Sequence, residues 1–289
     1  MKRIFVLVLF AWSLLIALQA QELVFQDKDG IVRWKKDNQE VALFGANYCL
    51  PSSCDYRAAG YVNADRKAMV REDMDHFKRM GWDALRVCFW GDFQNSDPDG
   101  HLIDNDHLNM MDYLIAEASK RGIYMLFSPI VTYDSQFPEM NDNSNTGYAK
   151  LFAKNTLIHD EKAIKCQINY MTDILNHINR YTGRCIKDEP NIIYVEIINE
   201  PTQFPNDIPG MVKYINRMCK AIKDTGCKKL IYYNLSQNFD VAPAIQKSMV
   251  DGATYAWYPQ ALNNGHRFMD NGLHFVDRYE PLVEDGLKG

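Results

Sequence analysis

Six apolar segments of strand character alternate with amphipathic helices from residue 41 to about residue 284. This alternation predicts an α/β chain with a parallel sheet and helices outside it. Two further observations choose among such folds. The first strand runs into Ala46-Asn47-Tyr48-Cys49 with no G-x-G-x-x-G, so the phosphate loop of a doubly wound open sheet is missing. The fourth strand ends abruptly at Asn199-Glu200-Pro201, which places a carboxylate at a strand's carboxyl end, where barrels build their sites. The expectation is therefore a (β/α)8 TIM barrel with about six of its eight strand–helix units present and an N-terminal β-hairpin before them.

The elements follow in order. Residues 1–20 read as a signal peptide: Lys2 and Arg3 form a basic start, Phe5 to Leu18 an apolar core, and Ala20 a small residue before Gln21. The apolar run is short for a span and no second one follows, so export to the periplasm or the exterior is expected, with no membrane span after cleavage. Residues 21–40 read as a hairpin, in which Leu23-Val24-Phe25 and Ile31-Val32-Arg33-Trp34 flank the turn Asp27-Lys28-Asp29-Gly30. Residues 41–289 are the barrel. Its strands are expected at 41–46, 84–90, 123–130, 192–198, 230–235 and 254–258. Its helices are expected at 65–80, 105–121, 160–181, 207–225, near 241–249 and at 270–284. Helix 160–181 would turn Ile164, Ile168, Met171, Leu175 and Ile178 inward. Gly81, Gly122 and Gly226 stand as helix stops, and a long polar loop covers 131–158.

Composition narrows the function classes. At 47% hydrophobic residues the chain can bury one large core, and a net charge of -5 offers no basic stripe for nucleic acid. The seven cysteines are odd in number and irregular in spacing, without a C-x-x-C or a paired C…H ligand spacing. Cys49 with Cys54, or Cys219 with Cys227, are possible bridges after export. Cys88 and Cys166 read as buried small apolar residues. The histidines form no H-x-H or H-E-x-x-H, so neither a metal nor a cofactor is expected.

The chemistry centres on the fourth strand. Pro201 has no N–H to continue the ladder, so the strand stops and Glu200 sits at the rim. A carboxyl group at an apolar rim can be held protonated and serve as a general acid. The bland alternative is an ordinary turn. Glu196 lies four residues earlier and points to the same face, the barrel interior, where a carboxylate must be paired or neutral. Arg86 on the second strand is its natural partner. For Glu196 a structural ion pair is the preferred reading, and for Arg86 a mixed role. Trp90, Trp257 and Tyr258 fall at strand ends, where rings can stack on sugar faces or simply pack. Trp34 and Trp82 read as structural, and Tyr133 can wall a subsite.

Phe44-Gly45-Ala46-Asn47, Leu85-Arg86-Val87, Glu196-Ile197-Ile198-Asn199-Glu200-Pro201 and Trp257-Tyr258-Pro259 together resemble the retaining (β/α)8-barrel glycoside hydrolases, in the cellulase/mannanase-like branch called family 5. The likeness runs over roughly residues 40–289. It implies an exported enzyme that cleaves β-linked glycosidic bonds of a poly- or oligosaccharide. It also implies Glu200 as general acid/base, Asn199 on the sugar 2-hydroxyl, and Arg86 orienting the nucleophile. Tyr258 would lie beside that nucleophile, with Trp257, Trp90 and Asn47 as further sugar contacts. Two positions depart from the family: Ser128-Pro129 stands where many members carry histidine, and Ala256-Trp257-Tyr258 where many carry His-x-Tyr. The family's nucleophile is a glutamate on the seventh strand. Glu280 and Glu284 fall on the helix before that strand, so the nucleophile is expected beyond Gly289 and the 289-residue chain alone is expected to be inactive. A non-catalytic carbohydrate-binding barrel is the alternative.

Overall fold

The structure is a computed structural model and describes residues 24–49, 64–131, 147–236 and 238–255. It opens with a two-stranded antiparallel hairpin, β1 (Val24–Gln26) and β2 (Val32–Trp34). Asp27 organises the turn: its carboxylate accepts from the backbone N–H groups of Asp29 and Ile31 and from Arg33 Nε. Six parallel strands follow in sequential order: β3 (Gly45–Cys49), β4 (Ala84–Cys88), β5 (Tyr124–Ser128), β6 (Ile192–Glu196), β7 (Leu230–Asn234) and β8 (Gly252–Thr254). Their helices are α1 (Arg66–Arg79), α2 (Gly91–Gln94), α3 (Asp106–Lys120), α4 (Glu161–Asn176), α5 (Ile208–Asp224) and α6 (Ala242–Gln246). Sequential parallel order with a helical return between strands is barrel topology.

Alternation divides the sheet into two faces. Leu85, Val87, Met125, Phe127, Val195, Ile231 and Tyr233 point outward and are buried against the helices. Each large side chain there contributes about 1.5–3 kcal/mol by leaving water. The inner face carries Arg86, Cys88, Leu126, Tyr194, Glu196, Tyr232 and Thr254 in a mixture of buried and half-buried states. The Tyr194 and Tyr232 rings stack at 4.9 Å. With Val41, Leu43 and Leu126 they line an inner cavity of about 420 Å³. The hairpin reaches the amino-terminal end of this face, where the Trp34 ring lies 4.7 Å from Tyr124. Trp82 stacks on Phe77 at 5.1 Å, a structural role like that of Trp34.

Helix starts follow their caps. Asp65, Asn105, Asp160 and Asp207 each accept a backbone N–H of the first turn. Several boundaries shift by one to three residues from the sequence reading, and three of the differences have a visible place in the structure. The first barrel strand is Gly45–Cys49, not 41–46, because Val41 N–H donates to Val32 of the hairpin and Phe44 N–H to the Asp83 side chain. Those residues serve the hairpin and the helix–strand corner. The fourth helix stops at Asn176 rather than 181. The buried Asp112 carboxylate takes His177 Nε2 at 2.9 Å and Arg180 Nε at 3.0 Å, and Ile178 bridges to Cys185, so Ile178 is exposed instead of inward. The sixth barrel strand is described as Gly252–Thr254, ahead of the expected 254–258.

Between 131 and 158 the described part holds two 3-10 turns, Tyr148–Leu151 and Lys154–Thr156, with Tyr148 fully buried. Cys219 and Cys227 are both free thiols, so the bridge weighed for them does not form: Cys219 faces the core from α5, and Cys227 follows the Gly226 turn. Cys166 is buried as expected, and Cys88 is half-buried on the inner face. No described helix is long and apolar enough to cross a membrane. The signal segment, Cys54, Tyr133, Trp257, Tyr258, Glu280, Glu284 and helix 270–284 lie outside the described residues.

Candidate active site

Arg86 is the third residue of β4, so alternation sends its side chain into the barrel. Glu196 is the last residue of β6 and points the same way. The guanidinium Nη2 donates to Glu196 Oε1, and Nε donates to Oε2 at 3.3 Å. Glu196 is fully buried. An isolated carboxylate there would cost several kcal/mol, and donors from three more strands surround it. Ser128 Oγ on β5 donates to Oε1 at 2.7 Å, Asn234 Nδ2 on β7 to Oε2 at 3.3 Å, and Thr254 Oγ1 on β8 to Oε2. Burial alone lowers the Arg86 pKa, but the charge of Glu196 and the contact with Cys88 outweigh it and hold the guanidinium above its usual value. Burial pushes the Cys88 thiol up to about 11 against the pull of Arg86, so Cys88 stays a neutral thiol at physiological pH.

The same guanidinium reaches onward. Nη2 donates to Asn199 Oδ1 at 2.5 Å, and Nη1 donates to Asn47 Oδ1 at 3.3 Å. The chain beyond β6 is fixed from both sides: Ile197 N–H donates to Tyr232 O at 2.9 Å, and Asn199 N–H to Ile130 O at 2.8 Å. Glu200 then takes a left-handed backbone conformation, φ +43°. A side chain in that region costs about 1–3 kcal/mol, and such residues gather at functional sites. The turn sends Glu200 to a rim pocket of about 230 Å³, lined by Asn47, Arg86, Glu200, Asn234, Thr254 and their neighbours.

Of the residues singled out in the sequence, Arg86, Asn199, Glu200 and Asn47 come together at this rim. Trp90 follows β4 at φ +51° but is only 3% exposed and does not line the pocket. Its ring packs rather than offering a face, which corrects its assignment as a sugar platform. Three side chains were missed: Asn234, Thr254 and Tyr255, the last of which lines the pocket and is half exposed. Asn234 and Thr254 carried a legible signal, since each ends an apolar strand with a polar residue of inward parity. Among the described residues no group of three or more His, Cys, Asp or Glu side chains is arranged to hold a metal ion.

Comparison with known proteins agrees with this fold. The model of the cellulase family, glycosyl hydrolase family 5, matches residues 34–264. Mannan endo-1,4-beta-mannosidase 4 of Oryza sativa subsp. japonica is 26% identical over 130 residues, 42% of this chain and 27% of the relative. Mannan endo-1,4-beta-mannosidase 2 of Arabidopsis thaliana is 28% identical over 130 residues, 43% of this chain and 30% of the relative. The match thus spans less than a third of the length of these curated relatives. The glycoside hydrolase family 5 mannosidase from Rhizomucor miehei superposes with a TM-score of 0.70 at 17% identity, covering 93% of this chain and 70% of that one. At that identity the likeness is one of fold. The family model spans the hairpin's last residue, the sheet and the whole rim, and on that match the chain belongs to glycosyl hydrolase family 5.

Proposed function

We propose that this protein is an exported hydrolase that cleaves β-linked glycosidic bonds of a poly- or oligosaccharide with retention, Glu200 acting as general acid and then general base. The observation that carries the reading is Glu200 itself. It is a carboxylate at the carboxyl end of a central strand, held at φ +43° and turned into a pocket beside a fixed arginine. In the first step Glu200 protonates the leaving oxygen while a second carboxylate attacks the anomeric carbon. In the second step Glu200 takes a proton from the water that releases the sugar. Retaining enzymes hold the two carboxyl groups about 5–5.5 Å apart. Glu200 is the only carboxylate in the described pocket lining, and Glu196 is committed to its ion pair. The nucleophile is therefore a carboxylate outside that described lining. Asn199 and Arg86 order the site, and Asn47 and Tyr258 contact sugar. The names of the plant relatives make β-1,4-mannan the first substrate to try.

The test, made on the full-length protein, is a panel of β-linked glycans with the anomer of the first product read by NMR. Retention and a fall of about 10²–10⁴-fold in Glu200→Gln are expected. Unchanged turnover in that variant, or an inverted first product, overturns the reading. Tight oligosaccharide binding with no turnover would favour the carbohydrate-binding alternative, since one carboxylate suffices for recognition but not for double displacement. Export is checked separately: the secreted protein should begin at Gln21.

A further inference from the structure

The Glu196–Arg86 pair has the form of a core ion pair, yet its geometry does not end there. Glu196 receives donors from β4, β5, β7 and β8, so one carboxylate ties four other strands to its own, the two neighbours and the two beyond them. Burial alone asks for donors to fill the remaining lone pairs of the carboxylate, and here the last three do more. Their effect is to fix both carboxylate oxygens, and with them the plane of the Arg86 guanidinium. The same nitrogen that donates to Glu196, Nη2, also donates to Asn199 Oδ1 at 2.5 Å. An arginine can only donate, so the contact also fixes which end of the Asn199 amide faces it. Asn199 immediately precedes Glu200. The other end of the amide donates to Val131 O at 3.5 Å, so the turn that bears Glu200 is held by two backbone hydrogen bonds and by both ends of the Asn199 side chain.

We propose that Glu196 is a positioning residue for the proton donor. It orients Arg86, Arg86 holds Asn199, and Asn199 keeps the strained turn that aims Glu200 at the leaving oxygen. The inference rests on the glycosidase reading of Glu200 and adds to it a named chain of contacts. Ser128, which stands where many relatives carry histidine, becomes part of the anchor through its 2.7 Å bond to Glu196.

Leaving-group dependence separates positioning from mere support. A natural glycan needs its leaving oxygen protonated, whereas an aryl glycoside with an acidic phenol leaves without that help. The quantity to read is kcat/KM, which reports the step in which the leaving group departs. In Glu196→Gln, kcat/KM on the glycan should fall about 10²-fold, the cost of a misplaced catalytic group. On the aryl glycoside it should fall at least about tenfold less, because the misplaced proton donor is not needed there, while any loss through the hold of Arg86 on the nucleophile is common to both substrates. Ser128→Ala, which removes one donor and keeps the ion pair, should show a smaller drop with the same dependence, and it covers the case in which Glu196→Gln does not fold.

A readout without turnover accompanies the kinetics. The side-chain amide resonances of Asn199 in 15N NMR should move in Ser128→Ala although the two residues share no hydrogen bond. Equal losses on both substrates, or unmoved Asn199 resonances, overturn the proposal while leaving the hydrolase reading intact. Moved resonances in a wild-type protein that cleaves neither substrate would uphold the contact chain and sink the hydrolase reading instead.

Discussion

The two ends of the parallel sheet use the left-handed backbone region differently. At the amino-terminal end, helices turn into strands through glycine: Gly122 at φ +67° precedes β5 and Gly226 at φ +85° precedes β7. At the carboxyl-terminal rim the same region is occupied by Trp90, Glu200 and Ser236, which follow β4, β6 and β7. A side chain in that region is disfavoured by about 1–2 kcal/mol, a penalty that glycine escapes. The fold thus relieves strain at one end and stores it at the other. The rim is where the pocket lies, and the left-handed backbone there sets the direction in which the Glu200 side chain leaves the chain toward it.

The sharpest way to break this contrast is at Glu200. In Glu200→Gly the backbone penalty vanishes and the carboxyl group goes with it. Hydrolysis should fall by about 10²–10⁴-fold, while stability in urea should rise by about 1 kcal/mol. A variant that loses activity and also loses stability would show that the side chain supports the fold, and that the rim is not a strain store.

The second contrast concerns buried charge. At the rim, Glu196 is surrounded by donors. At the other end Lys229, 9% exposed, precedes β7 and donates to the backbone oxygen of Glu189 at 2.7 Å. Burial lowers its pKa from 10.5 to about 8, against the pull of Cys227, Asp188 and Glu189. The unfolded chain keeps this proton up to about pH 10.5 and the folded one releases it near pH 8. Between those values the unfolded state binds more protons, so stability should rise with pH by at most about 3 kcal/mol at 1.36 kcal/mol per unit. Below pH 8 the full penalty persists. Urea unfolding at pH 7.5 and 9.5 reads it, with Lys229→Met as the control that should flatten the rise. A rise that survives in Lys229→Met would assign it to other groups.

Much of this was legible from residue order. The apolar strand runs at 84–90 and 192–198 pointed to the sheet, and the helix stops at Gly81, Gly122 and Gly226 to the connections, because those signals are local. Asn199-Glu200-Pro201 marked the rim for the same reason. What escaped notice depends on contacts across the sheet. Asn234 and Thr254 end their strands with polar residues of inward parity, but their partner Glu196 lies about 40 and 60 residues away in sequence, and only the fold brings it within hydrogen-bond reach. The false extension of the fourth helix has the same origin. Ile178 continues the apolar period, and only the buried Asp112, which claims His177 and Arg180, ends the helix early. Trp90 sat at a strand end as expected, but sequence position says nothing of which way a ring turns once the backbone goes left-handed.

The smallest predicted effects test the comparison most directly, because they exchange the residue types of the two ends. Gly226→Ala places a methyl group where nothing lies within 4 Å, so its cost is conformational alone. It should destabilise by about 1–2 kcal/mol and leave kcat/KM unchanged. Ser236→Gly is the converse. Its φ of +57° becomes unstrained, and the bond from its backbone N–H to Asn234 Oδ1 at 2.6 Å survives, since no serine side-chain atom takes part in it. The relief of about 1–2 kcal/mol is offset by the roughly 0.5–1 kcal/mol of extra chain entropy that glycine loses on folding. A net stabilisation of about 0.5 kcal/mol remains by that arithmetic, read as a small rise in urea midpoint at constant m. Opposite signs for the two substitutions would establish that strain is distributed by end. Destabilisation by Ser236→Gly as large as that of Gly226→Ala would mean that the serine side chain holds the rim in place, and the contrast between the ends would fail.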